Sequence, residues 1–390
     1  MKVLFLTHSF PRHPDDAPGS FLLRLAEALH GEGVEVRVVA PAAKGLPSSE
    51  QIGSITVDRF RYAPRKYETL AYTGTMVDDV RRSWGAKFAM VGFLGADFAS
   101  AVRGRRAFEP DIVHAHWWFP GGLVGAWVSG LSGVPLVTTV HGTDVRMTRK
   151  VAAVRPLARK VLQQSAVVTT VSQWLAGETA SLMSGGATPL VAPMPVAAHL
   201  FTPQGTRDPR RLLFVGRLNQ QKGSELALRA LAALEHRDAV LDMVGAVEGP
   251  VLEHHRALAG TLGIADRVHF HAPMSQPELA QMYARSTALV MPSIDEGLGL
   301  VAVESLLCET PVVAFNSGGV TDVVHHESTG LLTPPNDVAA LTAAIDQLLA
   351  SPERAHALGA AGRLYALANF APESTARRYA DVYHHALRTR

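Results

Sequence analysis

The sequence predicts an α/β protein of two doubly wound domains, each a parallel sheet wrapped by helices. Three observations predict it. A chain of 390 residues exceeds what one hydrophobic core usually holds, so two domains are the natural division. Short β-branched runs alternate with longer amphipathic stretches, the pattern of strands joined by crossover helices. That pattern stops and begins afresh around a proline-dense, non-periodic stretch at 191–209.

In the first half the expected strands are 3–7, 34–41, 111–116, 135–142 and 166–172. The second half supplies 211–217, 239–245, 267–272, 288–293 and 311–316. These give a first domain at 1–190, a linker at 191–209 and a second domain at 210–372, with a helix near 373–390 expected to pack back on the first domain.

Composition narrows the class. With 47% apolar and 18% charged residues the chain reads as folded, not as a disordered or repetitive protein. The single cysteine, Cys308, allows no internal disulfide and no thiolate metal cluster, which fits a reducing, cytoplasmic setting. It lies in an apolar run and is expected to be buried and inert. The N-terminal MKVLFLTHSF runs into His13-Pro14-Asp15-Asp16 where a secretion signal would have small residues, so it reads as a first strand. No run reaches the roughly 18 uninterrupted apolar residues of a spanning helix, so any membrane contact is expected to be peripheral, at the inner face.

Charge is asymmetric. Residues 1–190 hold 21 Lys and Arg against 15 Asp and Glu, a net +6, and the remainder holds 16 against 20, a net −4. The basic clusters at 103–106 and 146–160 fit either phosphate groups of an acceptor or membrane, or solvated helix faces. A near-neutral chain without a sustained basic groove or aromatic platform argues against nucleic acid as a partner.

In doubly wound sheets ligands bind beyond the carboxyl ends of the strands. After the strand ending near Gly216 the chain reads Arg217-Leu218-Asn219-Gln220-Gln221-Lys222-Gly223 and then a helical run. Two cations bracketing a loop at a helix N-terminus suit a diphosphate, each charged hydrogen bond contributing about 1.5–3 kcal/mol. The same pattern also fits a surface loop with two ordinary cations. A second feature joins it at Pro292-Ser293-Ile294-Asp295-Glu296-Gly297-Leu298-Gly299-Leu300, followed by Glu304. A helix starting near Gly299 puts Glu296 in the preceding loop and Glu304 one to two turns inside. Gly297 and Gly299 permit close backbone approach, and both carboxylates are good acceptors for vicinal hydroxyls. The alternative for Glu296 is simple enrichment of negative charge at a helix start.

In the first half, His141 follows a strand in His141-Gly142-Thr143-Asp144, where a packed or capping histidine and a ligand contact both fit. His114 and His116 flank another strand end, and no carboxylate or cysteine cluster completes a metal set around them, so no metal is expected. Trp117, Trp118 and Asp144 are candidates for an acceptor wall, with aromatic core packing the alternative for the tryptophans. The long segment 62–106, carrying Tyr67, Tyr72, Trp84 and Phe88 among cations, is a candidate for acceptor or membrane contact.

FVGRLNQQKG, MPSIDEGLGLVAVESLLCETPVVAFNSGGVTDVV, ESTGLLTPPND, DIVHAHWW and TTVHGTD together resemble the retaining glycosyltransferases of family 4, which have the GT-B fold of two Rossmann-like domains facing across a cleft. The match spans nearly the whole chain, and the glutamate pair is similar to the family's EX7E signature. The resemblance implies a nucleotide-diphosphate sugar as co-substrate, a UDP-sugar first and GDP-mannose second, and no required metal or other cofactor. Glu296 would then bond the transferred sugar, Glu304 the ribose, and Arg217 and Lys222 the diphosphate, with His141 approaching the donor sugar. Gly216, Gly245, Ala272, Met274, Gly297, Leu298, Gly299 and Leu300 would complete the donor wall. Many relatives carry a glycine pair in the first loop. This chain keeps only Gly19 in Asp16-Ala17-Pro18-Gly19-Ser20, and Ser20 is expected to cap the helix there. The implied reaction is retaining, with the leaving phosphate as base, and the acceptor is a carbohydrate, a lipid-linked sugar or a small molecule. A sugar-nucleotide epimerase, a phosphorylase and a non-catalytic sugar-nucleotide-binding protein share the architecture and stay open.

Overall fold

The computed structural model describes all residues except 14, 15, 17, 73–75, 77, 78, 81, 82, 184–187 and 390. It divides into two compact units, Met1–Pro195 with Pro372–Arg390, and Val196–Ala371.

The first unit holds β1 (Lys2–Leu6), β2 (Glu35–Pro41), β3 (Ser49–Ile52), β4 (Ile55–Phe60), β5 (Ile112–His116), β6 (Leu136–Val140), β7 (Val167–Thr170) and β8 (Leu190–Val191). Its helices are α1 (Ser20–Gly31), α2 (Trp84–Phe108), α3 (Leu123–Ser132), α4 (Thr143–Lys150), α5 (Arg155–Gln164) and α6 (Gln173–Met183). The strands pair in the order β3-β4-β2-β1-β5-β6-β7-β8. All these pairings are parallel except β3 with β4. β1 is central and covered on both faces, which is why Val3, Leu4, Phe5 and Leu6 are all fully buried.

β5, β6 and β7 break the apolar rule. His114, His116, Thr138, Thr139, Thr169 and Thr170 are buried on them, and such groups are stable inside only when hydrogen-bonded. His114 is satisfied on both nitrogens, by Tyr383 Oη at 2.8 Å and Thr139 Oγ1 at 2.7 Å. Thr139 also meets Thr169 Oγ1 at 2.6 Å.

The second unit holds β9 (Arg211–Val215), β10 (Val240–Val244), β11 (Val268–His271), β12 (Ala288–Met291), β13 (Val312–Phe315) and β14 (Gly330–Thr333). The order is β11-β10-β9-β12-β13-β14, parallel throughout. Helices α7 (Ser224–Ala233), α8 (Pro250–Thr261), α9 (Gln276–Arg285), α10 (Leu300–Leu307), α11 (Val338–Ala350) and α12 (Pro352–Phe370) wrap it. Its core joins Phe214, Leu228, Leu231, Met243, Phe315, Leu341 and Leu348. The last helix, α13 (Pro372–Arg388), belongs to the first unit. It supplies Tyr383 to His114, and Tyr379, whose hydroxyl donates to Ala192 O at 2.9 Å.

Residues 191–209, read from their prolines as a linker, include buried positions. Val191 ends β8, while Val196 donates to Phe370 O at 3.0 Å, and Ala197 and Phe201 are buried in the second unit. α2 is 25 residues long and apolar enough by composition to cross a membrane. Its Met90, Phe93, Ala101 and Gly104 are nevertheless buried, as in a core helix, and it ends in Arg103, Arg105 and Arg106.

Candidate functional site

In the second unit the chain moves outward from β9 through β10 to β11 and, in the other direction, from β12 through β13 to β14. The topological switch point therefore lies between β9 and β12, where ligands of doubly wound sheets bind. The loops leaving these two strands carry the sequence-predicted cations and Glu296.

The two loops are tied together. Gly223 has φ +66°, and a Cβ on it would lie 2.0 Å from Pro292 O. Ile294 N–H donates to Gln221 O at 2.9 Å. Lys222 is held by its own N–H on Asn219 Oδ1 at 2.9 Å, and its ammonium donates to Glu296 Oε1 at 2.7 Å. Arg217 is exposed and has no hydrogen bond or ion pair with the described residues. The charge of Lys222 is thus balanced inside the protein and that of Arg217 is not.

Glu296 is fixed from a third strand end, one that the sequence reading did not single out as part of the site. Its carbonyl accepts Gly319 N–H at 2.7 Å, and a Cβ on Gly318, φ +66°, would sit 2.6 Å from its backbone nitrogen. Ser317 Oγ accepts from Asp295 N–H at 3.3 Å. The available signal was the Ser-Gly-Gly run directly after an apolar strand.

α10 starts at Leu300 with Gly299, φ +90°, as its cap, so Glu304 lies in its second turn. The first N–H groups of such a helix have no intrahelical partner and favour an anion. Glu304 Oε2 accepts from Tyr283 Oη at 3.0 Å. Burial, reinforced by the Glu304 charge, pushes that phenol well above its usual range, so Tyr283 is a constant donor. Tyr283 is a second partner that sequence reasoning missed. Leu298 is buried, so its side chain is turned away from any ligand in this loop. Gly216, φ +149°, and Gly245, φ +108°, pack backbone to backbone: a Cβ on Gly245 would lie 2.6 Å from Gly216 O. Ala272 is exposed and Met274 half-buried just past β11. Burial pushes the Cys308 thiol up to about 12, which leaves it inert.

In the first unit the switch point lies between β1 and β5, and His141 follows the next strand, β6. The His141 ring stacks on Trp117 at 4.2 Å and 30°, with His8 4.4 Å from the same indole and Phe21 5.6 Å from His141. His141 Nε2 is 3.2 Å from His116 Nδ1. Burial lowers all four histidines: His8 to about 4, His114 to about 3, His116 and His141 well below the normal value, so each is neutral near pH 7.

Trp118 and Asp144, two of the candidates for an acceptor wall, are both buried and bond to each other. Trp118 is 1% exposed, and its indole donates to Asp144 O at 3.0 Å. Asp144 Oδ1 accepts from the N–H groups of His141, Gly142 and Val145, and Oδ2 from that of Trp118. Burial, partly offset by these backbone donors, pushes this carboxyl up to about 6. The pair pins the His141 turn to the chain after β5, a role that buried polar residues commonly fill. Trp117 keeps one edge near the His141 ring, and its indole donates to Thr143 Oγ1 at 3.0 Å.

Gly19, not Ser20, caps α1. Its φ is +74°, and a Cβ there would lie 2.5 Å from Ser9 O, so a residue with a side chain is excluded where the first loop folds on itself. Ala17 of that loop lies outside the described residues. Tyr72 also turns inward: its hydroxyl donates to Pro41 O at 2.7 Å and accepts from buried Arg59 at 3.0 Å.

Comparison with known proteins gives the same assignment from both units. Residues 201–365 match the family model described as Glycosyl transferases group 1, and residues 19–184 that described as Glycosyltransferase Family 4. A D-inositol 3-phosphate glycosyltransferase of Thermobispora bispora is 30% identical over 98% of this chain and 94% of its own. A GDP-mannose-dependent alpha-(1-6)-phosphatidylinositol monomannoside mannosyltransferase of Mycolicibacterium smegmatis is 33% identical over 68% of this chain and 75% of its own. Among solved structures, sucrose-phosphate synthase of Thermosynechococcus elongatus aligns with a TM-score of 0.81 at 22% identity over all of both chains. Anabaena HepE in complex with UDP and glucose aligns at 0.75 and 20% identity over 98% of this chain and 99% of its own. The chain has the GT-B fold and belongs to the family 4 glycosyltransferases.

Proposed function

We propose that the chain moves a hexose, with retention at the anomeric carbon, from a nucleotide-diphosphate sugar held by its second unit to an acceptor hydroxyl held by its first. One observation carries the reading: Lys222 and Glu296 meet at 2.7 Å over the switch point between β9 and β12. This supports a reading in which the cation meets a donor's diphosphate and the carboxylate its hexose. Lys222, the uncompensated Arg217 and the first turn of α10 take up the charge that grows on the leaving diphosphate. That phosphate then accepts the proton of the attacking hydroxyl. Glu296 bonds the hexose hydroxyls and Glu304 the ribose, and His141 offers a ring nitrogen to substrate in the first unit. Ala272 and Met274 flank the base.

A UDP-sugar is the favoured donor and GDP-mannose the second. HepE is solved with UDP and glucose, and one relative is named as GDP-mannose-dependent. For the acceptor, the name of the Thermobispora relative makes an inositol phosphate the first compound to try, and the basic balance of residues 1–190 suits a phosphate group. Peripheral contact with an anionic membrane is a second property of the same half. Trp84, Phe88 and Val91 recur at one helical face of α2 and are each more than 70% exposed, with the Lys87 ammonium 4.0 Å from the Trp84 ring.

The test is to incubate the chain with UDP-, GDP- and ADP-hexoses, with and without inositol 3-phosphate, and read products and anomeric configuration by NMR. An α-linked product from an α-linked donor is expected, unaffected by chelator. Isomerised donor without acceptor would establish the epimerase instead. Thermal stabilisation without any turnover would establish a binding protein.

A further inference from the structure

We infer that His116 is a positioning residue that fixes the tautomer of His141, so that His141 offers Nδ1–H as a hydrogen-bond donor toward substrate. The inference rests on the proposed reading that His141 contacts substrate.

The two rings share one hydrogen bond, His116 Nδ1 to His141 Nε2 at 3.2 Å, and only one of these nitrogens carries the proton. The other nitrogen of His116 decides which. His116 is fully buried, and its Nε2 is enclosed with no partner among the described residues. Were His141 the donor, His116 would have to carry its own proton on that enclosed Nε2, leaving a buried N–H unpaired. Orphaned buried donors are rarer in folded proteins than under-satisfied acceptors. His116 therefore donates from Nδ1 and keeps Nε2 bare, and His141 accepts at Nε2 and is protonated on Nδ1. That Nδ1 has no partner among the described residues and is not enclosed, so it is available to a ligand oxygen.

The surroundings hold both rings in place. His116 lies 4.2 Å from the His114 ring and 4.8 Å from Phe5, while Tyr383 and Thr139 consume both nitrogens of His114. His8 is the other titratable group near the cluster, and no carboxylate among the described residues contacts the His116 ring. Trp117 fixes the plane of His141 by stacking at 30°, and Asp144 anchors its backbone N–H at 3.2 Å. Burial lowers the basicity of both rings, so neither becomes a two-donor imidazolium near neutral pH. A neutral N–H fixed in this way suits a sugar hydroxyl oxygen.

The experiment is 15N NMR of the imidazoles in the full chain, with His116→Leu and His116→Asn beside it. In the wild type His141 is expected as the Nδ1–H tautomer. His116→Leu should shift it toward Nε2–H and lower kcat by about tenfold, the worth of one hydrogen bond, with little change in acceptor KM. His116→Asn carries a side-chain N–H near the position of Nδ1 and should restore most of the loss and the tautomer. An Nδ1-bare His141 in the wild type, or a tautomer unmoved in His116→Leu, overturns the inference. The wild-type spectrum decides even if His116→Leu does not fold. Because the spectrum needs no substrate, it is separable from the functional reading, which fails instead if His141→Ala leaves transfer intact.

Discussion

The Lys222 ammonium donates to Glu296 Oε1 at 2.7 Å, joining two residues 74 positions apart in sequence across the switch point of the second sheet. Arg217, in the same loop as Lys222, has no such partner among the described residues. The two cations therefore separate in mutagenesis. Arg217→Ala should lower turnover by about 10²–10³, the scale for removing one charge-stabilising donor, with an unchanged melting temperature. Lys222→Ala should lose at least as much turnover and also lower the melting temperature, because it leaves the Glu296 carboxylate unpaired. Steady-state kinetics and thermal scans of both variants check this, and near-normal transfer by both would remove the donor assignment.

Gly318 gives a backbone test of the same carboxylate. It has φ +66°, and a Cβ would lie 2.6 Å from Glu296 N and 2.8 Å from Glu296 O. Gly318→Ala should cost about 1–3 kcal/mol of stability from backbone strain and should weaken donor binding by displacing Glu296. Urea unfolding and nucleotide-sugar titration measure the two effects. Unaltered donor affinity in a destabilised protein would mean that the position of Glu296 does not govern binding.

Asp97 supplies a pH prediction away from the site. It is fully buried in α2, neither carboxylate oxygen has a partner among the described residues, and burial raises its pKa well above the usual carboxylate range. The folded state therefore binds this proton more tightly than the unfolded chain. Its contribution is fully present below about pH 4 and is lost as pH rises toward the elevated folded pKa. Asp97→Asn cannot ionise, so its stability advantage over the wild type should grow from pH 5 to pH 8, reaching about 1–3 kcal/mol. Melting temperatures at pH 5, 6.5 and 8 test it; a constant difference would mean that Asp97 is not the titrating group.

The exposed face of α2 predicts a lipid effect. Trp84→Ser with Phe88→Ser should weaken binding to phosphatidylserine vesicles at least tenfold in sedimentation, while transfer to a soluble acceptor stays near normal. Binding of the wild type to neutral vesicles alone, or none to either kind, would remove the membrane contact.

The central parallel strands were legible in sequence because burial on both faces makes them continuous apolar runs, as in β1, β9, β12 and β13. The strands missed were peripheral. β3 and β4 form a hairpin around Gly53, φ +58°, β8 has two residues and the edge strand β14 has four, so none produces such a run. At the site, chemistry-bearing residues such as Lys222 and Glu296 stood out by type and spacing. Their supports did not, because Tyr283, Gly318 and Gly319 act through three-dimensional proximity to glutamates distant in sequence. The mutual bonding of Trp118 and Asp144 was illegible for the same reason, since it joins residues 26 positions apart. Ser20 was misread as a cap because the left-handed turn at Gly19 is set by close approach to Ser9, which sequence does not display.

The bond between His114 and Tyr383 spans 269 positions and crosses the entire second unit in sequence. On the ribosome, domains generally fold as units with the N-terminal one first. Here the seam of His114, Thr139 and Thr169 cannot be closed by Tyr379 and Tyr383 until α13 has emerged. The half that is translated first is consequently the half completed last, and the second unit can mature while its predecessor still waits for its final helix.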